Sequence, residues 1–468
     1  MVMKTRRSRA TLFGLAATLG AGLLAGCSGS SGAERKPDDK ITVWSQENLA
    51  PRMAATKKVV ERFEKETGVQ VDLVGVDEAQ LPQLIMSAAA AGDLPDVIGA
   101  VPMGQVWQMY GSGLLNTEVA GKIVDDLGTG TFNANALSLT EDAGTTLAVP
   151  SDAWLQLLVY RKDLFAKAGL DAPDSYASAL KAAKTLDKGG VDGISLATDP
   201  SDVFTQQSFE DLALANGCQL VDDDGEPALD SAACRTAFAT YSELGGDHGA
   251  PGTQTVDSTR STYFSGKSSM MVWSSFLLDE LAGLRSDALP SCAECQDDPG
   301  FLARNTGIVT SLQGPDSEEP AQFGEITSWA VTKTAETGAS AKFIEYMMGK
   351  GYEDWFGMAP EGKIPVRTGT TTDPGSFQKA WRASVMGVDR RESMQKAYPS
   401  ELLDRLVAGV GDMKRWGLTQ GQGTLVGATN GELPVAKAIG AMTSGQSSPD
   451  EAAKEANDEV AALQKSLQ

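Results

Sequence analysis

The sequence predicts an α/β fold, and three observations carry the prediction. Two short apolar or alternating runs, at 41–45 and 69–74, flank a helical pattern at 51–67. Such a strand–helix–strand unit is the seed of a parallel sheet. Asp93-Leu94-Pro95-Asp96 then turns a second helix, at 81–91, into a third apolar run, Val97-Ile98. Strands and helices continue to alternate to about residue 150, as α/β layers require.

The elements follow in order. The run at 41–45 is short and apolar enough for a buried strand. In 51–67, Met53, Val59, Val60 and Phe63 recur at helical spacing, and Gly68 supplies the stop. Val69-Gln70-Val71-Asp72-Leu73-Val74 alternates with period two. From 153 to about 320 the pattern is mostly helical, at 176–187, 206–216, 231–243 and 275–285. Strand-like pieces occur there at 156–160, 194–197 and 270–273, and Pro, Gly, Asp and Ser make 286–322 read as loop. Further helices are expected at 340–349, 400–416, 434–443 and 449–466.

The amino terminus carries a different message. Lys4, Arg6, Arg7 and Arg9 precede an apolar run at 12–24, and Leu24-Ala25-Gly26-Cys27 closes it. A basic segment, a short apolar core and a small-residue cleavage site make a secretory signal peptide, too short to span a bilayer comfortably. The final four residues resemble the bacterial lipobox, in which the cysteine becomes the lipidated first residue. Residues 1–26 are therefore expected to be a leader, Cys27 a lipid anchor, and 27–39 a tether rich in Gly and Ser. That places the protein on the outer face of the cell membrane.

Without the leader, about 440 residues remain, enough for two domains. The net charge of −22 loses the leader's four positive charges and becomes −26. That balance disfavours nucleic acid and anionic lipid surfaces as partners. Four cysteines remain, and outside the cell an even number suggests disulfides. Of three possible pairings the local one is expected, Cys218 with Cys234 and Cys292 with Cys295. The longer loop would contribute roughly 3 kcal/mol on a chain-entropy argument. Cys292-Ala293-Glu294-Cys295 could also be a redox pair or half a zinc site, but no second such pair accompanies it. The single histidine, His248, lies in a Gly-rich segment and reads as an exposed loop residue. A Ser-His-Asp triad has no Gly-x-Ser-x-Gly elbow to rest on. No metal and no cofactor are expected.

A longer pattern runs through the chain. It includes Val43-Trp44, Phe63-Glu64-Lys65-Glu66-Thr67-Gly68, Ala91-Gly92-Asp93-Leu94-Pro95-Asp96, Val149-Pro150-Ser151-Asp152, Tyr160-Arg161-Lys162-Asp163-Leu164-Phe165, Phe264-Ser265-Gly266-Lys267 and Gly362-Lys363-Ile364-Pro365-Val366-Arg367. In this order the motifs resemble the extracellular solute-binding proteins of ABC importers, in the sugar-binding branch that includes maltose-binding protein. The resemblance implies the two-lobed, type II periplasmic-binding-protein fold, with discontinuous lobes and a ligand cleft between them. Lobe 1 is expected over 40–150 and 321–364, and lobe 2 over 151–320 and 365–468. It further implies a monomeric, non-catalytic receptor that passes a carbohydrate to ABC permease subunits.

A sugar site wants aromatic platforms edged by groups that pair with hydroxyls. Trp154, just past the first crossover, is the leading candidate, with Asp152 beside it. Glu47 and Asn48 leave the carboxyl end of the first strand, where open α/β sheets bind ligands; Asn48 could instead cap the next helix. Trp273 and Phe276 follow the strand at 270–273, where the family places a stacking ring. Trp329 could be core or contact, and Arg367 could reach the cleft or bridge the lobes. Gln105 is a weaker candidate. Asn430 and Glu432 stand where maltose-binding relatives contribute another ring, and their polarity departs from that pattern. Asp96 reads as a turn or cap residue. Two other readings stand beside this one. An extracellular polysaccharide-degrading enzyme would need two carboxylates at fixed separation, and no spacing singles out such a pair. The same fold could bind a non-sugar solute; no basic cleft cluster is evident for a phosphorylated one.

Overall fold

The computed structural model describes residues 39–468. The leader, Cys27 and most of the tether lie outside the described residues.

One mixed sheet organises the chain. Its strands are β1 (Lys40–Ser45), β2 (Gln70–Gly75), β3 (Val97–Pro102), β4 (Val149–Arg161), β5 (Met270–Ser274), β6 (Thr306–Val309), β7 (Gly324–Val331) and β8 (Ile364–Pro365). Along the main path the order is β8-β4-β7-β3-β1-β2, with β5 and β6 added on β4. β1 lies parallel to both β2 and β3, as expected for strands joined by helices. Those helices are α1 (Ala50–Thr67) and α2 (Leu81–Ala91). Each has proline in its first turn and ends on a left-handed glycine, Gly68 and Gly92. α1 buries Thr56, Val59, Val60 and Phe63, one stripe at helical spacing.

β4 does most to position the site. Its 13 residues pair first with β7 and β8, then with β5 and β6. The register between β4 and β7 shifts between Pro150 and Asp152. An irregularity of that kind re-aims side chains.

Two cores form. One gathers Val43, Phe63, Ile85, Val97, Trp329, Phe343 and Trp355 around the first strands. The other centres on Phe209, whose ring lies 4.3 Å from Phe238, 5.6 Å from Tyr241 and 6.0 Å from Trp416. Both disulfides are the local ones, Cys218–Cys234 and Cys292–Cys295.

Several local expectations need correction. The segment 286–322 holds the short helices Ala293–Asp297 and Phe301–Asn305 and the strand β6. Single turns are compatible with Gly and Pro spacing, and β6 exists because β4 offers it an edge. Residues 194–197 form only isolated bridges, to Gly249 and Met271. The helix expected at 275–285 is confined to Leu277–Leu281 and ends before Gly283, which takes φ 70. His248 is half-buried, with Nδ1 3.0 Å from Asp187. Asp96 is a tie: its carboxylate accepts the backbone N–H groups of Thr42 and Glu336 at 2.8 Å each.

Candidate functional site

The ends of β1, β3, β4 and β5 converge on one pocket of about 340 Å³. Its size is at the lower end of small-molecule sites. β3 reaches it through an irregular register between Ile98 and Val101, where Ala100 takes φ 59. A left-handed conformation is costly for a residue with a Cβ, and such strain gathers at ligand sites.

At the floor lies Lys363, one residue before β8, with a side chain only 1% exposed. Its Nζ donates to Glu47 Oε1 at 2.6 Å and to both oxygens of Asp152 at 3.3 Å. It also sits 4.3 Å from the Trp355 ring centre. Asp152 further accepts from Ser151 Oγ at 3.1 Å, Trp355 Nε1 at 2.6 Å and Thr327 Oγ1. A carboxylate has about four lone-pair sites. Asp152 therefore lines the pocket with its acceptor capacity already used by the protein. Glu47 gives its second oxygen to Arg52 Nη1 at 2.9 Å. Burial pushes the Glu47 carboxyl up, but Lys363 and Arg52 outweigh it and hold it at about 2.

The walls carry rings with cations on them. Arg52 lies 5.1 Å over Phe276, and Arg260 lies 5.5 Å over Trp273. Phe276 is half-buried and presses on Gly362, where a Cβ would sit 2.0 Å from the ring. Only glycine permits that approach. Gly362→Ala is accordingly expected to displace Phe276 and to weaken any ligand resting on it, with less effect on the urea midpoint; an unchanged affinity would remove Phe276 from the site.

Arg260 donates to Glu280 Oε1 and to Asp257 Oδ1, both at 2.8 Å. Arg285 pairs with Asp287 at 2.7 Å and approaches Glu280 at 3.6 Å. Behind this wall Asp279, Glu280 and Glu361 are each 2% exposed. Burial pushes Glu280 up to about 7, Arg260 and Arg285 notwithstanding, and it raises Asp279 and Glu361 as well.

Of the residues singled out from sequence, Glu47, Asp152, Trp154, Trp273 and Phe276 line this pocket. Trp154 is half-buried, tilted against Phe323 at 5.9 Å. Trp273 is 6% exposed, held between Arg260 and Phe204, with Nε1 donating to Val256 O at 3.0 Å. The other candidates lie elsewhere. Asn48 is exposed, and α1 starts from Leu49 without a side-chain cap. Gln105 donates to Gln108 at 2.8 Å along the helix Met103–Gly111. Trp329 is fully buried against Trp355 and Phe343, and its ring passes where a Cβ on Gly99 would stand, 2.3 Å away. Arg367 is 4% exposed and staples the core, donating to Thr131 Oγ1, Met348 O and Leu127 O at 3.0, 2.6 and 2.7 Å. Glu432 is exposed at the end of its helix, and Asn430 accepts from Gln206 Nε2 at 2.7 Å.

Four cations line the pocket, Arg52, Arg260, Arg285 and Lys363, where the sequence suggested no basic cluster. They come from four separate segments, so no local run announces them. The rule that ligands gather at strand carboxyl ends could have found Arg52, within two turns of the end of β1.

The comparisons agree with this architecture. The sequence profile of the family described as bacterial extracellular solute-binding protein matches residues 58–383. A putative ABC transporter periplasmic-binding protein of Escherichia coli K12, YcjN, is 28% identical over 367 residues, covering 76% of this chain and 79% of that protein. Among solved structures, the GacH receptor of Streptomyces glaucescens, studied unliganded and with acarbose, superposes with a TM-score of 0.69 at 21% identity, covering 91% of this chain and 98% of that one. Maltose-bound MalE3 of T. maritima gives 0.69 at 18%, with 91% and 99% covered. A sugar transporter protein of Arthrobacter chlorophenolicus with bound laminaribiose gives 0.68 at 18%, with 90% and 99% covered. These similarities carry the two-lobed fold, and the profile spans well over half of the sequence: the chain belongs to the bacterial extracellular solute-binding proteins.

Proposed function

We propose that this protein is a non-catalytic receptor for an uncharged mono- or oligosaccharide, which it delivers to ABC permease subunits. The observation that carries the reading is the pairing of charge in the pocket. Each lining cation already faces a carboxylate: Lys363 and Arg52 share Glu47, Arg260 has Glu280 and Asp257, and Arg285 has Asp287. Such a lining offers many donors and acceptors but no excess of positive charge for an anionic ligand to neutralise. Two half-buried rings, Trp154 and Phe276, supply apolar faces for a sugar. The solutes named for the structural relatives, acarbose, maltose and laminaribiose, support the same class.

In this reading, 40–150 with 321–364 form one lobe and 151–320 with 365–468 the other. Ligand binds best when the lobes close on it, since only closure lets both touch it. The protein acts as a monomer on the outer face of the membrane, held by lipid on Cys27. Cys27→Ser should release it to the medium. Incubation with oligosaccharides should free no reducing ends.

Two tryptophans test the site. Titration of the intrinsic fluorescence with maltose, laminaribiose and ribitol identifies a working ligand. A pyranose face on Trp154 covers on the order of 60–100 Å² of apolar surface, worth about 1.5–2.5 kcal/mol. Trp154→Ala should thus weaken binding roughly 10- to 60-fold with little loss of stability. Trp273→Ala should instead cost roughly 3–5 kcal/mol of stability, because its ring is packed on both sides. The reverse pattern would exchange their roles.

A further inference from the structure

One chain of contacts runs from the strand β8 segment to the far wall of the pocket. Lys363 holds Glu47 Oε1 at 2.6 Å, and Glu47 Oε2 holds Arg52 Nη1 at 2.9 Å. The Arg52 guanidinium in turn lies 5.1 Å over Phe276. The order of burial gives this chain a direction. Lys363 is 1% exposed, Glu47 8% and Arg52 18% in their side chains. Lys363 and Arg52 both line the pocket, but Lys363 lies almost fully buried at its floor, whereas Arg52 is the more exposed and has Nε and Nη2 uncommitted to Glu47. A guanidinium presents five donors in a fixed fork, so the orientation of one pair sets where the others point.

We propose that Lys363 is a positioning residue for the binding site: through Glu47 it holds Arg52 over Phe276, with the remaining guanidinium donors turned toward the ligand. This rests on the receptor reading above. Asp152 completes the arrangement from the other side. It shares Lys363 with Glu47, so the single ammonium is divided between two carboxylates and keeps both in place. Glu47 faces Lys363 and Arg52 as cations and Glu78 as a like charge. The two cations outweigh burial, so the carboxylate stays ionised far into acid. A group held this low keeps its contact above its folded pKa and loses it only as pH falls through that value. The relay therefore loses its charge pairing only in strong acid.

The test has an arm that needs no ligand. A guanidinium stacked on an aromatic ring feels its ring current, which moves the Arg52 Nε–H resonance upfield of solvent-exposed arginines. Loss of one signal in Arg52→Lys assigns it. In the intact protein the resonance should be shifted and stay shifted from pH 7 down to about pH 4. In Lys363→Met it should return to the exposed-arginine position, and in Lys363→Arg, which keeps the charge, it should stay upfield. Lys363→Met leaves two carboxylates without their shared cation and could fail to fold. Glu47→Gln breaks the same relay with Lys363 still neutralised by Asp152, and should release the resonance equally. The second arm titrates laminaribiose, maltose and ribitol by calorimetry. For whichever binds, Lys363→Met and Glu47→Gln should weaken affinity roughly 10- to 100-fold, the scale of one charge-assisted hydrogen bond, and Lys363→Arg should restore most of it. An unmoved resonance in Lys363→Met or Glu47→Gln overturns the proposal whatever the ligand. So does a moved resonance with unchanged affinity. If the intact protein binds none of the three probes while the resonance moves as expected, the relay stands and these three solutes are excluded as its ligands.

Discussion

Arg415→Met is expected to lower the stability of the folded chain by about 3–5 kcal/mol, read as a fall in the urea midpoint. Arg415 is 1% exposed in its side chain, and it bridges Glu210 and Glu325, each 2% exposed, at 3.0 Å. Both carboxylates have second tasks. Glu210 accepts the backbone N–H of Trp416 at 2.9 Å, and Glu325 accepts that of Met103, also at 2.9 Å. Methionine fills much of the volume but leaves two buried charges facing each other. Burial already raises the Glu325 carboxyl with Arg415 in place, so without it a proton must enter or the segment must open. The consequence reaches the pocket, because Glu325 sits opposite Trp154 in the register of β4 and β7. Replacing all three members together by apolar or neutral residues should recover much of the loss, since the net worth of a buried ion pair is small once its desolvation is counted. A loss under 1 kcal/mol for Arg415→Met alone would mean that water reaches the cluster.

What the sequence made legible was local or ordered along the chain. The unit β1–α1–β2 was readable because Val59, Val60 and Phe63 keep one face and Gly68 ends the helix. The two disulfides were readable because their partners are close in sequence. The rings of the site were partly readable because strand ends mark clefts: Trp154, Trp273 and Phe276 all line the pocket. Three kinds of feature were not. β6 needs β4 beside it, and no periodicity encodes a neighbour. Arg52, Arg260, Arg285 and Lys363 meet only after four segments converge, so their sum has no local signature. Arg367 stands four residues past Lys363, yet one staples the core and the other holds the pocket floor. Motif membership could not separate those roles, because the difference lies in which carbonyls and carboxylates the folded chain brings to each side chain.

Stability should fall as pH rises from about 5.5 to 8, the opposite of the usual behaviour of surface carboxylates held by salt bridges. Burial pushes Glu280 and Asp211 up to about 7 each and raises the Asp279–Glu361 pair. Among the described residues Asp211 receives only the Phe323 N–H, at 3.2 Å, in partial compensation. Arg52, Arg260 and Arg285 face the Asp279, Glu280 and Glu361 cluster as cations, Asp257 and Asp287 stand at its edge, and Tyr398 packs against it, donating to Leu278 O at 2.5 Å. Three oxygens of the cluster, Asp279 Oδ1, Glu280 Oε2 and Glu361 Oε2, are buried with no partner among the described residues. In the unfolded chain these carboxyls titrate near pH 4. Between that value and their folded values the native state holds more protons than the unfolded one, so the derivative of stability with pH is negative there. Each group should contribute roughly 2 kcal/mol of decline across the window, less where two share a proton. Lowering the pH also relieves the repulsion of a strongly acidic surface, but salt screens that effect and leaves the buried one. Urea midpoints measured in high salt at pH 5.5 and pH 8 therefore isolate the buried groups. Glu361→Gln and Glu280→Gln should each flatten the decline and raise the midpoint most at pH 8. A flat or rising profile in the intact protein would mean that the cluster is hydrated and ionised. Glu280 carries the effect into the binding site, since the carboxylate that loses its proton at high pH is the one that holds Arg260 over Trp273.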